Sequence, residues 1–146
     1  MWYSETGDDM IDYIYKTECN QVAIVSQGQL AIRDRALFGM LEELARARLS
    51  TLEGRVKAVK HHFGFKTKCP IYLGEDLLFI PLTSVRSDHA LLVNVRALTS
   101  FRKQGRKDAI LTFSGGGALK ITGYEPFCRL LKKAQTVISY CETSSL

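Results

Sequence analysis

Apolar positions are densest between Asp76 and Val95, in the sequence DLLFIPLTSVRSDHALLVNV. Residues 77–80 form a continuous apolar run, which is typical of a buried strand. Pro81 follows this run, and because proline has no backbone N–H to donate to a sheet, we expect the strand to end there. A second apolar run, residues 91–95, predicts a strand that returns into the core. A polar loop joins the two strands.

This loop is rich in side chains that can form hydrogen bonds with a polar partner. They are Thr83, Ser84, Arg86, Ser87, Asp88 and His89. We therefore expect any functional site to lie on this loop and on the segments next to it.

Three apolar segments near the N-terminus predict a small antiparallel sheet. They cover residues 10–15, 21–26 and 30–32, and Gln27 and Gly28 predict a tight turn between the last two. Residues 1–9 and 141–146 have no such pattern, and we expect both ends of the chain to fray.

From Asp34 onward the apolar period becomes that of a helix, and Asp34 is placed to cap its first turn. The apolar side chains at helical spacing are Leu37, Met40, Leu41, Leu44 and Ala45. Farther along, Ser50 and Glu53 have the spacing of a capping box. The alternation in RVKAVKHHF nevertheless fits a strand nearly as well as a helix, so residues 54–63 stay open between the two.

The C-terminal half combines extended segments with one long helix. Residues 69–73 predict a short extended piece, and the returning strand is expected to continue to Phe101 before a basic turn at residues 102–108. Residues 109–113 and 118–122 predict a hairpin around the sequence SGGG.

From Gly123 an apolar stripe predicts a last helix, with Pro126 in the first turn, where proline is tolerated. Together these elements predict one α+β domain over residues 1–146. Its sheet is mostly antiparallel, with a central helix and a C-terminal helix.

The composition adds a marked positive charge to this picture. The chain has 146 residues, of which 46% are hydrophobic, which suffices for the core of one domain. Its net charge of +5 and its pI near 9.1 favour polyanionic partners. Residues 1–32 contain five acids and one base, whereas residues 46–68 contain seven bases and one acid. Such a concentration of positive charge is typical of a nucleic-acid-binding surface.

Several classes of site are not supported by the residues. The four cysteines have no two-residue spacing, which favours free thiols in a reducing compartment. His61 and His62 are adjacent and point apart on either a helix or a strand, so we predict no metal site and no cofactor. No signal peptide and no membrane-spanning run is evident, and we predict a cytoplasmic protein without a membrane partner.

Neither of two enzyme-like patterns meets the requirements of its chemistry. The glycines of SGGG are not followed by the Lys-Ser/Thr pair of a phosphate-binding loop. Ser84, Asp88 and His89 are hydrolase residue types, but the chain has no nucleophile elbow. We therefore predict that the protein is not an enzyme.

The basic residues form two groups that predict DNA or RNA binding. Faces exposed only to solvent usually mix acids with bases, and these groups do not. Phosphate binding uses long cationic side chains with hydroxyl donors beside them. The first group is Arg55, Lys57, Lys60, Lys66 and Lys68. The second is Arg102, Lys103, Arg106 and Lys107, on a predicted loop around Gly105. The hydroxyl donors are those of Thr83, Ser84 and Ser87.

Three segments resemble motifs of the ComK family of bacterial competence transcription factors. The first is LFIP, residues 78–81, followed by Thr83, Ser84 and Arg86. The second is LEGR, residues 52–55, with Lys57 and then KCPI at residues 68–71. The third is LTFSGG, residues 111–116. The resemblance covers about residues 20–135.

This resemblance implies an activator that binds A/T-rich boxes at promoters of DNA-uptake genes. It also implies minor-groove recognition of double-stranded DNA by a homo-oligomer, with RNA polymerase as a candidate partner. A narrow A/T minor groove attracts inserted basic side chains. On this interpretation the hydroxyls of Thr83, Ser84 and Ser87 bind phosphates, and the basic residues that contact DNA are Arg55, Lys57, Lys60, Arg86, Arg102, Lys103, Arg106 and Lys107.

Two alternatives remain open at this point. The segment LLVN, the basic turn and the Gly-rich hairpin before a last helix are similar to the LytTR DNA-binding domain, which implies a regulator that binds the major groove. A protein-interaction module that uses the amphipathic last helix would need no DNA at all.

Overall fold

The computed structural model describes residues 10–143, which form two antiparallel sheets and three helices. The larger sheet contains β1 (Ile11–Lys16), β2 (Val22–Ser26), β3 (Gln29–Arg33), β4 (Ile71–Gly74), β5 (Leu77–Thr83) and β6 (Leu91–Asn94). The smaller sheet contains β7 (Leu98–Gln104), β8 (Asp108–Phe113) and β9 (Ala118–Thr122). The helices are α1 (Leu37–Ala47), α2 (Leu52–Phe63) and α3 (Tyr124–Thr143). The predicted α+β class with mostly antiparallel strands is confirmed.

The central strands of the larger sheet are buried on both faces, which explains why they are apolar throughout. Its strand order is β3-β2-β1-β6-β5-β4. Leu77 and Phe79 belong to the core that contains α1, whereas Leu78 and Ile80 belong to the core that contains β8 and α3. Because successive side chains of a strand point to opposite faces, a strand covered on both sides is a continuous apolar run.

The prediction that Pro81 ends its strand is wrong. β5 continues to Thr83, and Pro81 lies opposite Leu92 of β6. On the other side of β5, pairing with β4 reaches only from Leu77 to Phe79, so no neighbour there needs an N–H from residue 81. An irregularity between Pro81 and Thr83 also falls at this point, and such positions are where sheets tolerate proline.

Both helices in the centre of the chain begin at residues other than those predicted. The N-cap of α1 is Ala36, which has no side-chain cap, so the capping role predicted for Asp34 is wrong. Residues 54–63, which the pattern left open, lie within α2. The N-cap of α2 is Thr51 rather than Ser50, and the Thr51 hydroxyl accepts a hydrogen bond from the N–H of Gly54 at 3.0 Å.

The returning strand is shorter than predicted because the chain changes sheets after Asn94. A single 3₁₀ turn, Val95–Ala97, separates β6 from β7, so Leu98 and Phe101 belong to the smaller sheet. The hairpin of β8 and β9 and the last helix are confirmed.

The fraying predicted for residues 141–146 is wrong for its first part, because α3 extends to Thr143. The fraying predicted for residues 1–9 and 144–146 falls outside the described residues. Between residues 10 and 143, no helix is long and apolar enough to cross a bilayer.

The Asn94 side chain forms hydrogen bonds with four backbone groups at the point where the chain leaves the larger sheet. The side chain is fully buried at the end of β6. Its amide nitrogen donates to the carbonyl oxygens of Ile11 and Asp76, at 2.7 and 3.0 Å. Its oxygen accepts from the N–H groups of Leu78 and Arg96, at 3.0 and 3.2 Å. One side chain thereby binds β1, β5, the turn before β5 and the 3₁₀ turn that leads to the smaller sheet.

The turns of two hairpins meet beside a buried carboxylate, Asp12. A Cβ atom on Gly115 would lie 2.5 Å from the Cα of Gln27, so this close approach requires glycine. The N–H of Gly28 donates to an Asp12 carboxylate oxygen at 3.3 Å, while the other oxygen has no hydrogen-bond partner among the residues that the structure describes. Burial raises the pKa of Asp12 above its ordinary value of 3.8, although the hydrogen bond from Gly28 opposes this shift.

We expect Asn94→Ala to lower the free energy of unfolding by about 3 kcal/mol or more, because it leaves several buried backbone groups without partners. Urea unfolding followed by circular dichroism measures this loss. Gln135→Ala, which removes an exposed amide from α3, is the control and should change stability little. Equal stability of the two variants would contradict the role assigned to Asn94.

We expect Asp12→Asn to stabilise the protein at pH 7 relative to the native chain, and to lose this advantage on acidification. The folded-state pKa of Asp12 is raised, so the folded protein binds a proton more readily than the unfolded chain. The native chain therefore gains stability as the pH falls through that pKa towards 3.8. Urea unfolding of both proteins between pH 7 and pH 4 measures the difference. A difference that widens on acidification would contradict this assignment.

Candidate nucleic-acid interface

A groove between α1, α2 and the end of β5 brings together four predicted site residues. Its volume is about 260 Å³. The predicted residues that line it are Lys60, Lys68, Ser84 and Arg86. They come from α2, from the segment before β4 and from the loop after β5, and we refer to this site as the basic groove.

Packing between the helices holds one wall of the basic groove. The Glu42 carboxylate of α1 accepts the N–H of Leu52 at 2.9 Å, which fixes the start of α2 against α1. Val56 and Lys60 lie one helical turn apart and line the same wall. Lys60 is exposed, so its ammonium group is accessible at the rim.

Local hydrogen bonds shape the opposite wall. The N–H of Ser87 donates to the Ser84 carbonyl at 2.9 Å, and the N–H of Arg86 approaches the Ser84 hydroxyl oxygen at 3.4 Å. A hydroxyl that accepts a hydrogen bond still has its own proton to donate, which suits a phosphate oxygen. The Lys68 ammonium donates to the Leu82 carbonyl at 3.1 Å, so this cation is held next to the loop.

The floor of the basic groove is apolar. Leu41, Leu52, Pro81 and Val85 line it, together with Phe38, whose side chain is 47% exposed. Cationic side chains around an apolar floor can bind a partner that has both phosphates and apolar sugar or base edges.

The positive surface continues along α3 through residues that the sequence analysis missed. Lys68 also lines a second depression, of about 180 Å³, with Arg129 and Lys133. The Lys133 ammonium donates to the Thr67 carbonyl at 2.7 Å and lies 5.5 Å from the ring centre of Phe65. The four-residue spacing of Arg129 and Lys133, beside the apolar stripe of the helix, is the signal that could have identified them.

The second basic group lies near the start of α3. Arg102 and Lys103 are on β7 rather than on a loop, so that part of the prediction is wrong, and only Arg106 and Lys107 lie in the turn. The register explains this, because the strand pairing extends to Gln104 opposite Asp108.

This group contacts α3 at the helix N-terminus. The Lys107 carbonyl accepts the N–H groups of Gly123 and Tyr124, at 2.8 and 2.7 Å. The Lys103 ammonium lies 5.7 Å from the ring centre of Tyr124. The β7–β8 hairpin, the first half of α3 and the basic groove therefore lie next to one another. We call the surface formed by their cations the basic band; these cations are Lys60, Lys68, Arg86, Arg102, Lys103, Arg106, Lys107, Arg129 and Lys133.

A family model described as ComK protein matches residues 11–141. The chain belongs to the ComK family. Comparison with curated proteins gave no match, and neither did comparison with solved structures. The predicted resemblance is thereby confirmed, and the family is one of competence transcription factors rather than of enzymes.

Two of the segment groups that resemble ComK motifs line the basic groove. LEGR begins α2, KCPI leads into β4, and LFIP lies within β5. The third segment, LTFSGG, forms β8 and its turn. Two of the three motif regions of this ComK-family chain therefore meet at one site, although six or more residues separate LEGR, KCPI and LFIP from one another along the chain.

Two predicted cations of α2 do not line the basic groove: Arg55 is directed towards Tyr72, and the charge of Lys57 is neutralised by Glu53. The Arg55 guanidinium donates to the Ser50 hydroxyl at 2.9 Å and lies 5.2 Å from the ring centre of Tyr72. Lys57 forms an ion pair with Glu53 at 2.7 Å, and this contact lowers the pKa of Glu53 and raises that of Lys57.

Three other predicted residues also lie outside the groove lining. Lys66 is exposed between α2 and β4, while Thr83 and Ser87 are half-buried, with Thr83 opposite Leu91 in the sheet.

A buried thiol, Cys69, lines the basic groove. It is a free cysteine, as are Cys19, Cys128 and Cys141. Burial raises the pKa of the Cys69 thiol, while Lys60 and Lys133 lower it by a smaller amount. Cys69 therefore stays protonated and contributes to the apolar floor. Within residues 10–143, no three His, Cys, Asp or Glu side chains are grouped as a metal site requires.

Proposed function

We propose that this ComK-family protein binds double-stranded DNA and activates transcription of competence genes from A/T-rich promoter boxes. The observation that carries the proposal is the convergence of Lys60, Lys68 and Arg86 on one groove from three separate segments. Cations that the fold brings close together repel one another, and an anion that binds between them offsets this repulsion. The backbone phosphates of DNA are such anions.

The absence of ion pairs at the groove cations, among the described residues, supports this interpretation. Among residues 10–143, the side chains of Lys60, Lys68 and Arg86 form no ion pair, and neither do those of Arg129 and Lys133. The ion pair of Lys57 lies on α2 outside the groove lining, whereas that of Lys120 with Asp108 lies beside the β7–β8 turn. Among residues 10–143, the cations of the groove and of α3 are therefore left without a neutralising ion pair, which a phosphate backbone could supply.

Minor-groove recognition is the mode that we propose. Arg86 is exposed on the loop after β5 and has the reach and the planar cation that a narrow A/T minor groove attracts. The hairpin cations Arg102 and Arg106 are also exposed and would contact a neighbouring stretch of backbone. We further propose that the protein acts in the cytoplasm as a homo-oligomer and that RNA polymerase is its partner at promoters.

The two alternative interpretations have less support. The LytTR resemblance concerns only the last part of the chain, whereas the ComK match extends over residues 11–141. A protein-interaction role for α3 would need its apolar stripe to be exposed. Phe127, Leu130 and Val137 of that stripe are instead buried against the sheets.

We expect an A/T-rich duplex to bind more tightly than a matched G/C-rich duplex, and distamycin, which occupies the minor groove, to displace the protein. Fluorescence anisotropy over a salt series measures both effects. Phosphate contacts predict an affinity that falls steeply as salt increases. Equal affinity for the two duplexes with no displacement would exclude minor-groove recognition, and no binding at low salt would exclude DNA binding.

We expect Lys60→Ala and Arg86→Ala each to lower DNA affinity roughly tenfold at 0.1 M salt and to reduce the salt slope by about one. Lys57→Ala is the matched control, because it removes an equally charged side chain from α2 that Glu53 already neutralises. The same anisotropy titrations measure all three variants. If the control lost as much affinity as the groove variants, total charge rather than the basic groove would determine binding.

A further inference from the structure

The edge strand β3 exposes two large apolar side chains and pairs with only one strand. Within the described residues, β3 is hydrogen-bonded to β2 alone and ends the strand order of the larger sheet. Leu30 is 58% exposed and Ile32 is 45% exposed. At the opposite edge of the sheet, α2 packs against β4. One edge is therefore covered, and the other presents apolar side chains beside backbone groups that another strand can bind.

The turn before β3 determines which backbone groups face outward. Gln27 and Gly28 have φ values of 52° and 81°, as a type I′ turn requires. In such a hairpin the flanking pair, here Ser26 and Gln29, is hydrogen-bonded. Because the bonding alternates along an antiparallel strand, the N–H and C=O groups of Leu30 and Ile32 point away from β2.

We propose that β3 is a self-association surface, on which β3 of a second copy pairs in antiparallel orientation about a two-fold axis at Ala31. In this register Leu30 lies opposite Ile32 of the second copy, so the outward backbone groups of both strands pair with each other. The two exposed apolar side chains cover each other across the junction. Gln29 lies opposite Arg33 of the second copy, so no like charges face each other. The strand is therefore complementary to itself in both backbone and side chains.

The second copy leaves the basic groove accessible. Ile71 of β4 and Pro81 of β5 line that groove, and both strands lie at the end of the strand order opposite β3. Pairing through β3 joins the two larger sheets and leaves one groove at each outer end, roughly 50 Å apart at the usual strand spacing. A five-residue strand buries little area, so the dimer is weak and its population depends on protein concentration. The inference rests on the proposed oligomeric state, and it is testable without DNA.

The decisive experiment is disulfide crosslinking of Ala31→Cys in a Cys19→Ser background, which removes an exposed native thiol. In the proposed register the two Ala31 residues form a non-hydrogen-bonded pair with Cα atoms about 4.5 Å apart, which a disulfide can bridge. We expect rapid formation of a covalent dimer under mild oxidation. Ala58→Cys in the same background is the control, because residue 58 is exposed on α2, and it should crosslink far more slowly.

Sedimentation velocity over a range of concentrations tests the same surface without a crosslink. We expect Ile32→Lys to abolish self-association. Leu49→Lys is the control, because it introduces the same charge at a side chain that is 97% exposed and lies outside β3, and it should leave self-association intact. Thermal melts establish that both variants are folded. The proposal would be overturned if the native chain were monomeric at every concentration. It would also be overturned if a dimer persisted in Ile32→Lys and Ala31→Cys did not form the covalent dimer. Since no DNA is present, neither result depends on whether the protein binds DNA.

Discussion

The buried side chain of Asn94 is the constraint on which the arrangement of the two sheets depends. The chain leaves the larger sheet directly after this residue, at a point where a strand end would otherwise leave backbone groups buried without partners. Its amide provides two donors and an oxygen that accepts twice, which matches the two carbonyls and two N–H groups around it. Because β1, β5 and the 3₁₀ turn meet at one side chain, the smaller sheet and α3 are held in a defined position over the larger sheet.

The basic groove is a consequence of that arrangement. One face of the larger sheet is covered by α1 and the other by the smaller sheet and α3, so α2 is left to pack at the β4 edge. The residues after β5 then lie opposite the end of α2, and the segment before β4 brings Lys68 between them. Basic side chains from segments far apart in sequence thus become neighbours, and α3 extends the same charge towards the β7–β8 hairpin.

Charge alone would not have distinguished the cations of the site from the others. Lys57 and Lys60 lie on the same helix and have the same charge, yet one is paired with Glu53 and the other lines the groove. Arg55, on the same helix, is directed towards Tyr72. Arg129 and Lys133 lie on the helix that the pattern identified only for its apolar stripe, and their relation to Lys68 depends on how α3 packs. Membership of a transcription-factor family and the placement of these cations support the same interpretation by independent routes.

The sequence by itself determined the class of fold, most strands and helices, the closing hairpin and the family, because periodicity, turn residues and motif order are local properties of the chain. It identified the loop after β5 and the two groups of basic residues, of which Lys60, Lys68, Ser84 and Arg86 lie together. Only the tertiary structure decided that β5 continues through Pro81, since the neighbouring strand is too short to require the missing N–H. It alone decided that residues 54–63 are helical, that β6 and β7 belong to different sheets, and which cations line the basic groove. These outcomes depend on contacts between residues that are distant in sequence, and no local pattern encodes them.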